Sequence, residues 1–461
     1  MADIEAIWQR LYECAPLQLE KIAEVKTAAT AFNTNIDAVL RIKGDKIAAL
    51  AQQVGLTEAD LQSNDTGLEN ERDVVRGIIK CFGNGIAEEW IADKKSVYEW
   101  MRDNLGYTRL QMGGQGGIVA NILAVTGVRK VVAHTNSHPQ LQADQFLKLE
   151  NLLGFDENGT LAPACSINRQ NDVPLIHWII EFAKGDSFEY LGKQYVCPKA
   201  NRFIATYDPA NMMLKTDENF VRYLQQNGFD YLILSGYHSL TSLHNGVNLV
   251  RESAENIKMW KAACPRGIVH LELASTQDKM VRKAILEKIA PLADSIGLND
   301  REALDALEII NPQMYERCSN EPLTAAQMFD ILYCLATALN VQRIQLHMFG
   351  LYITLQKLRG VLSAEQNLHG MILAAEIAAT KAMSGKVDNY NMLLAASGEK
   401  IEVSVLQNLA AHVGGEVLLQ TGICQYKGYE VIAVPTIIVE KPVTLVGMGD
   451  TISSLSLVGA R

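Results

Sequence analysis

Apolar and polar residues follow two rhythms along this chain. From about residue 215 onward, helical periods lead repeatedly into short, largely apolar runs: Tyr231-Leu232-Ile233-Leu234 before Ser235-Gly236, Gly267 to Leu273, Asp294 to Asn299, and Arg343 to His347. Such runs fit strands buried on both faces, and their alternation with helices predicts a mainly parallel sheet covered on both sides. The same rhythm opens the chain. An amphipathic N-terminal helix precedes Ala28-Ala29-Thr30-Ala31-Phe32, a buried strand that delivers Asn33-Thr34-Asn35-Ile36-Asp37 at its carboxyl end. Met112-Gly113-Gly114-Gln115-Gly116-Gly117 reads as a loop entering the apolar period of Ile118, Ile122, Leu123 and Val125, and Lys130 to Ala133 as the next strand. A second rhythm occupies Ile176 to Asp208, where short apolar and aromatic runs separated by turn residues predict an antiparallel meander, a candidate lid or small domain. Between Asp37 and Arg109 the pattern is mixed, with one helical period over Glu69 to Cys81. The chain closes with strands over Tyr429 to Val434 and Thr436 to Val439, a glycine-aspartate motif and a terminal helix.

Composition narrows the classes this pattern can serve. A chain of 461 residues with 48% hydrophobic content can bury a large core and should form more than one folding unit. Its net charge of −10, with no cluster of Lys and Arg, argues against a nucleic-acid partner. Met1-Ala2-Asp3-Ile4-Glu5 carries acids where a signal peptide would carry bases, and no apolar run approaches the length of a membrane span. The eight cysteines are scattered without C-x-x-C or zinc-like spacing, which fits free thiols in a reducing cytoplasm.

The chemistry gathers at predicted strand ends. Gly447-Met448-Gly449-Asp450 sits at the mouth of the last helix, where unpaired backbone N–H groups and the positive end of the helix dipole favour an anion. One reading is a phosphate seat with Asp450 as a base; the other is a tight turn with an N-cap aspartate. In His270-Leu271-Glu272 the two polar side chains share one strand face, and a buried parallel strand does not normally carry a carboxylate. Asn299-Asp300-Arg301-Glu302 reads as a helix cap closed by Glu302, and also as an anchor, together with Glu272, for a Mg²⁺ that keeps its waters and bridges phosphate oxygens; both readings can hold together.

These segments, in this order and from about residue 28 to the C-terminus, resemble the ADP-dependent sugar kinases of the ribokinase superfamily, the archaeal-type phosphofructokinases and glucokinases. Asn299 and Glu302 match the family's N-x-x-E pattern, Glu272 its H-x-E pattern, and Asp450 its catalytic aspartate. The resemblance implies an α/β fold, a ribokinase-like large domain with a mainly parallel central sheet, and a smaller α+β lid. Residues 1–37, 111–165 and 209–461 would form the large domain, and 38–110 with 166–208 the lid. It further implies that Asn33, Asn35, Asp37, Glu88, Gly114, Gln115 and His177 contact the sugar; a phosphorylated acceptor would also need a cationic pocket, for which Arg169, Lys184 and Arg202 around the meander are the candidates. Arg202 would contact the transferring phosphate beside Gly447, Met448 and Gly449, and His347, Tyr352 and Val439 would flank the nucleotide base.

On this reading ADP is the phosphoryl donor, Mg²⁺ or another divalent cation assists, and Asp450 accepts the proton of the attacking hydroxyl. The acceptor would be fructose 6-phosphate, because the segment Ser166-Ile167-Asn168-Arg169 to Asn201-Arg202-Phe203-Ile204 resembles that branch, with glucose as a second acceptor, because Gly85-Ile86-Ala87-Glu88-Glu89 offers two candidates, Glu88 and Glu89, for the lid glutamate that the family associates with glucose. An ATP-dependent sugar or nucleoside kinase of the same fold is an alternative, and a non-catalytic sugar or nucleotide sensor is another of a different class. Oligomeric state is not legible in the sequence.

Overall fold

Strands that must satisfy every backbone group and bury both faces stack best in parallel between helices, and the computed structural model shows this arrangement. It describes residues 3–319, 322–358, 360, 362–444 and 446–461. Among the described residues, one sheet has eleven strands in the spatial order Ile423–Tyr426, Tyr429–Pro435, Leu351–Lys357, Arg343–Met348, Ser295–Asn299, Ile268–Glu272, Tyr231–Leu234, Ala28–Ala31, Val131–Ala133, Leu152–Phe155 and Leu161–Pro163. From Arg343–Met348 to Leu152–Phe155 all neighbours are parallel, and antiparallel strands close both ends. The mainly parallel sheet expected from the alternating pattern is therefore present. Thr436 to Val439 is not a strand: the chain leaves the sheet at Pro435, and Ile437 makes only an isolated bridge to Ile401.

A second sheet holds five strands, in the order Glu88–Ile91, Asn201–Tyr207, Ile176–Phe182, Asn35–Arg41 and Arg109–Gly113. It is mixed rather than a meander. Ile176–Phe182 runs antiparallel to Asn201–Tyr207 but parallel to Asn35–Arg41, and the intervening hairpin Ser187–Tyr190 with Lys193–Val196 pairs only with itself. Side chains alternate between its faces. Ile36, Ala38, Trp178, Ile180, Phe182, Phe203, Ala205 and Trp90 belong to a second hydrophobic core built with the helices Gly44–Gln53, Glu71–Asn84 and Lys95–Asn104. Burying each of these aromatics contributes roughly 1.5–3 kcal/mol. The opposite face carries Asp37, His177 and Thr206, whose strand register sets them side by side.

The segment Asn33 to Asp37 thus does not sit at the end of one strand. Ala28–Ala31 ends the first strand in the large sheet, and Asn35 already begins the next one in the small sheet. The terminal helix Met448–Val458 packs against Ala364–Ser384 and is buried from Thr451 onward, so its N-terminus is fixed from below. No helix among the described residues is long and apolar enough to cross a membrane.

Candidate active site

Parallel strands put their carboxyl ends on one edge of a sheet, and that edge is where a ligand site of this architecture forms. Glu272 and Asn299 are the last residues of their strands, and the register sets Glu272 beside Gly297 and Asn299 beside His347. Donor atoms of Glu272, Glu302 and His347 all lie within 4.8 Å of one another. A side chain at Gly297 would collide with the Glu272 carboxylate and the Ser453 hydroxyl, which is why this position is glycine.

Glu302 is held by its own helix. Its carboxylate accepts from the backbone N–H of Asn299 at 2.8 Å while the Asn299 side chain accepts from the N–H of Glu302 at 2.9 Å, so the cap anticipated from the sequence is formed. Glu272 is held by a buried polar chain. Arg343 donates to Ser295 Oγ at 2.9 Å, and that hydroxyl lies 2.9 Å from His270 Nδ1. His270 Nε2 in turn lies 3.1 Å from Glu272 and 3.0 Å from Ser453 Oγ, so the tautomer with its hydrogen on Nε2 can donate to the Glu272 carboxylate. Burial, then the Arg343 and His347 charges, push His270 down to about 3, which keeps it neutral.

Burial and mutual charge set the electrostatics of the cluster. Burial raises Glu272 well above the ordinary glutamate range, and the charges of Glu302 and Asp450 raise it further. Burial pushes Glu302 up to about 8, opposed by its bond from Asn299 and reinforced by Asp450. Two buried carboxylates with a third nearby could hold a hard divalent ion with oxygen ligands. Asp450, in the first turn of the terminal helix, is also raised by burial; a hydrogen bond to Gln115 and the charges of Lys381 and His238 oppose the rise.

A second group of polar residues fills the angle between the two sheets. Asn35 Nδ2 donates to Asp37 at 3.1 Å, His177 Nε2 lies 2.9 Å from Asp208, and Glu89 accepts from Thr206 Oγ1 at 2.7 Å and stands 3.8 Å from His177 Nδ1. Gln115 accepts from the backbone of Gly236 at 3.1 Å, and Asn33 is 3.5 Å from His238. Burial lowers the affinity of His177 for its proton, but Asp208, Glu89 and Asp37 outweigh it and leave the group raised. Burial lifts Asp37 to about 6. Among the described residues, the buried Oδ1 atoms of Asn33 and Asn35 and Nδ1 of His238 have no protein partner, a pattern suited to sugar hydroxyls, which both donate and accept. Gly114, at φ 72, has room for no side chain against Asn33 and Asn35.

Several expected residues lie elsewhere. Glu88 faces the helix-covered side of the small sheet, where it accepts from Trp90 Nε1 at 2.8 Å and pairs with Lys80 at 3.1 Å; strand alternation gives the cleft to Glu89 instead. Arg169 is committed to the edge of the large sheet, bonded to the Phe155 carbonyl at 2.7 Å and to Asp217 at 2.9 Å. Lys184 is exposed in the turn beyond Phe182, at the far end of the strand from His177. Arg202 is exposed beside Glu181, on the same face as His177 but four residues, or about 13 Å, farther out. Tyr352 is buried opposite His347, and Val439 packs at the edge of the main core. His347 turns toward the acids, with Nε2 3.9 Å from Glu272, and abuts Gly449. Met448 leans on the main core.

Sequence reasoning held Glu88 and Glu89 both as candidates and placed Glu88 at the sugar, and it missed Asp208, His238 and Lys381. Asp208 and His238 lie just beyond strands ending at Tyr207 and Leu234, so the strand-end rule that found Glu272 could have found them. Lys381 lies within a helix and carries no local signal.

The chain matches the model of the ADP-specific phosphofructokinase/glucokinase conserved region over residues 26–459. It is 31% identical over 462 residues to an ADP-dependent glucose/glucosamine kinase of Pyrococcus abyssi, covering 98% of each chain. It is 27% identical over 482 residues to an ADP-specific phosphofructokinase of Methanosarcina acetivorans, covering 98% of this chain and 96% of the relative. A solved ADP-dependent kinase in complex with fructose 6-phosphate and ADPβS superposes with a TM-score of 0.84 at 27% identity, covering 98% of this chain and 97% of the other.

Proposed function

Since this chain belongs to the ADP-specific phosphofructokinase/glucokinase family, we propose that it transfers the β-phosphoryl group of ADP to fructose 6-phosphate, giving fructose 1,6-bisphosphate and AMP, and that it also phosphorylates glucose. The observation that carries this reading is the gathering of Glu272 and Glu302, whose donor atoms lie within 4.8 Å of each other and of His347, beside Asp450 in the first turn of the terminal helix, whose charge raises both. ADP as donor rests on the family and on the relative that holds ADPβS.

In this mechanism Asp450 takes the proton of the attacking hydroxyl while the amides that open the terminal helix hold the transferring phosphoryl group. The sugar oxygen bonds to the β-phosphorus as the bridge to the α-phosphate breaks, and AMP leaves. Glu272 and Glu302 would hold a divalent cation such as Mg²⁺, which when bound neutralises charge on the phosphate oxygens. Asn33, Asn35, Asp37, Gln115 and His177 orient the sugar. The small sheet acts as a lid whose closure excludes water and brings Arg202 from its outer position toward the phosphates.

Glucose as a second acceptor is favoured by Glu89, a carboxylate on the cleft face within reach of a sugar hydroxyl. For a sugar phosphate, Arg202 and Arg41 share that face through their common neighbour Glu181. The eight unpaired cysteines suit a reducing cytoplasm. AMP release from ADP, measured with fructose 6-phosphate and with glucose in turn, tests the proposal. AMP with neither sugar overturns it, and turnover with ATP but not ADP transfers the chain to the other donor class.

A further inference from the structure

Lys381 lies half-buried in the last turn of the helix Ala364–Ser384 with its ammonium group bonded to the start of the terminal helix. Nζ donates to the carbonyl oxygen of Gly447 at 3.0 Å and to Thr451 Oγ1 at 3.1 Å, and Thr451 Oγ1 itself donates to the same carbonyl at 2.8 Å. Two side-chain donors therefore close on the residue whose left-handed backbone, φ 63, turns the chain into the terminal helix. An ammonium ion drawn partly out of water is costly unless its donors are satisfied and a countercharge stands near. Here the donors meet the turn, and the countercharge is Asp450. Burial draws Lys381 down to about 8, and Asp450 pulls the other way.

We propose that Lys381 is a positioning residue for phosphoryl transfer. It pins the Gly447 carbonyl away from the cleft, so that the amides following it face the phosphate, and its charge keeps Asp450 in the anionic form a base requires. Glu272 and Glu302 lie close enough to feel the charge of Asp450, so removal of this cation leaves Gln115 and His238 alone to oppose the rise that burial imposes on the base. The other charged groups lining the space around Lys381 are Lys386, Asp144 and Asp388; Lys386 and Asp388 pair with each other. The inference rests on the kinase reading above.

The test compares the full-length wild type with Lys381→Met and Lys381→Arg. In Lys381→Met, kcat should fall on the order of 10- to 100-fold while KM for the sugar changes less than about threefold, as expected when an interaction made in the transition state is lost. The acid limb of its kcat profile should move to higher pH, because Asp450 has lost a neighbouring positive charge. Lys381→Arg should keep the limb in place. Calorimetric titration gives a readout independent of turnover: ADP should bind about tenfold more weakly to Lys381→Met, and AMP, which lacks the transferred group, within about twofold of wild type. Unchanged kcat and ADP affinity in Lys381→Met would overturn the inference, as would lost activity with an unmoved acid limb and equal weakening of ADP and AMP. If Lys381→Met fails to fold, Lys381→Arg decides: a shifted limb or weakened ADP binding with charge retained overturns the proposal. Failure of the wild type to release AMP from ADP would instead remove the kinase reading itself.

Discussion

Glu302 folds back onto its own cap, with its carboxylate accepting the Asn299 N–H at 2.8 Å, and this places a buried acid where Glu272 and His347 can share a ligand with it. The ordinary pKa of such a group is about 4.5, and here it is pushed up to about 8. The folded state therefore binds the proton more tightly than the unfolded chain. The stability this contributes is complete below about pH 4.5 and is lost as pH rises through about 8. A divalent cation needs the ionised form, so its affinity should rise with pH through the same window, with release of protons on binding. We expect added Mg²⁺ to raise the melting temperature more at pH 8 than at pH 6, and calorimetry at pH 7 in two buffers to report proton release. Equal Mg²⁺ effects at the two pH values would remove Glu302 from the metal site.

Gly297 offers a test of the same cluster from below. A methyl group there overlaps the Glu272 carboxylate and Ser453 hydroxyl on a strand with no room to shift. Overpacking of this kind costs about 1–3 kcal/mol. Gly297→Ala should therefore lower stability by that order, measured by urea unfolding, and reduce turnover more than about tenfold at saturating sugar. Turnover near wild type would mean that Glu272 can move without consequence.

Much of this arrangement was legible in the sequence because it obeys short-range rules. The alternation of strands and helices gave the parallel sheet, and His270 and Glu272 share a face because strands have a period of two. The Asn299 and Glu302 cap needed only its spacing. What was not legible depends on pairings distant in sequence. Nothing in Glu88-Glu89 says which of the two faces the cleft until Asn201–Tyr207 sets the register. Asn33 to Asp37 looked like one strand end because the crossing from one sheet to the other leaves no compositional mark. Arg169 looked available until Phe155 and Asp217 were seen to claim it.

Asp450 is the group on which turnover should depend most. Substitution by Asn keeps the volume and the hydrogen bond to Gln115 but removes the base. It should lower kcat by a factor on the order of 10² to 10⁴ while leaving KM for the sugar within a few-fold. Steady-state kinetics with a coupled AMP assay measures both. A variant that keeps a tenth or more of wild-type kcat would show that the proton goes elsewhere.

Adjacent glutamates on one strand allow the specificity reading to be checked against its own control. Glu89 lies on the cleft face, bonded to Thr206 and close to His177, while Glu88 is turned to the helix-covered face and tied to Lys80 and Trp90. A carboxylate that accepts a sugar hydroxyl in a partly dry site is worth about 1.5–3 kcal/mol, or roughly 10- to 150-fold in kcat/KM. Glu89→Gln should therefore lower kcat/KM for glucose by at least tenfold and spare fructose 6-phosphate, whose phosphate gives it a separate handhold on the lid. Glu88→Gln should leave both sugars within about twofold and show its effect in the melting temperature instead, through the loosened Lys80 and Trp90 contacts. If the two variants exchange these phenotypes, the register of Glu88–Ile91 against Asn201–Tyr207 is off by one residue; if both fall equally for both sugars, the edge strand supports the lid without selecting the acceptor.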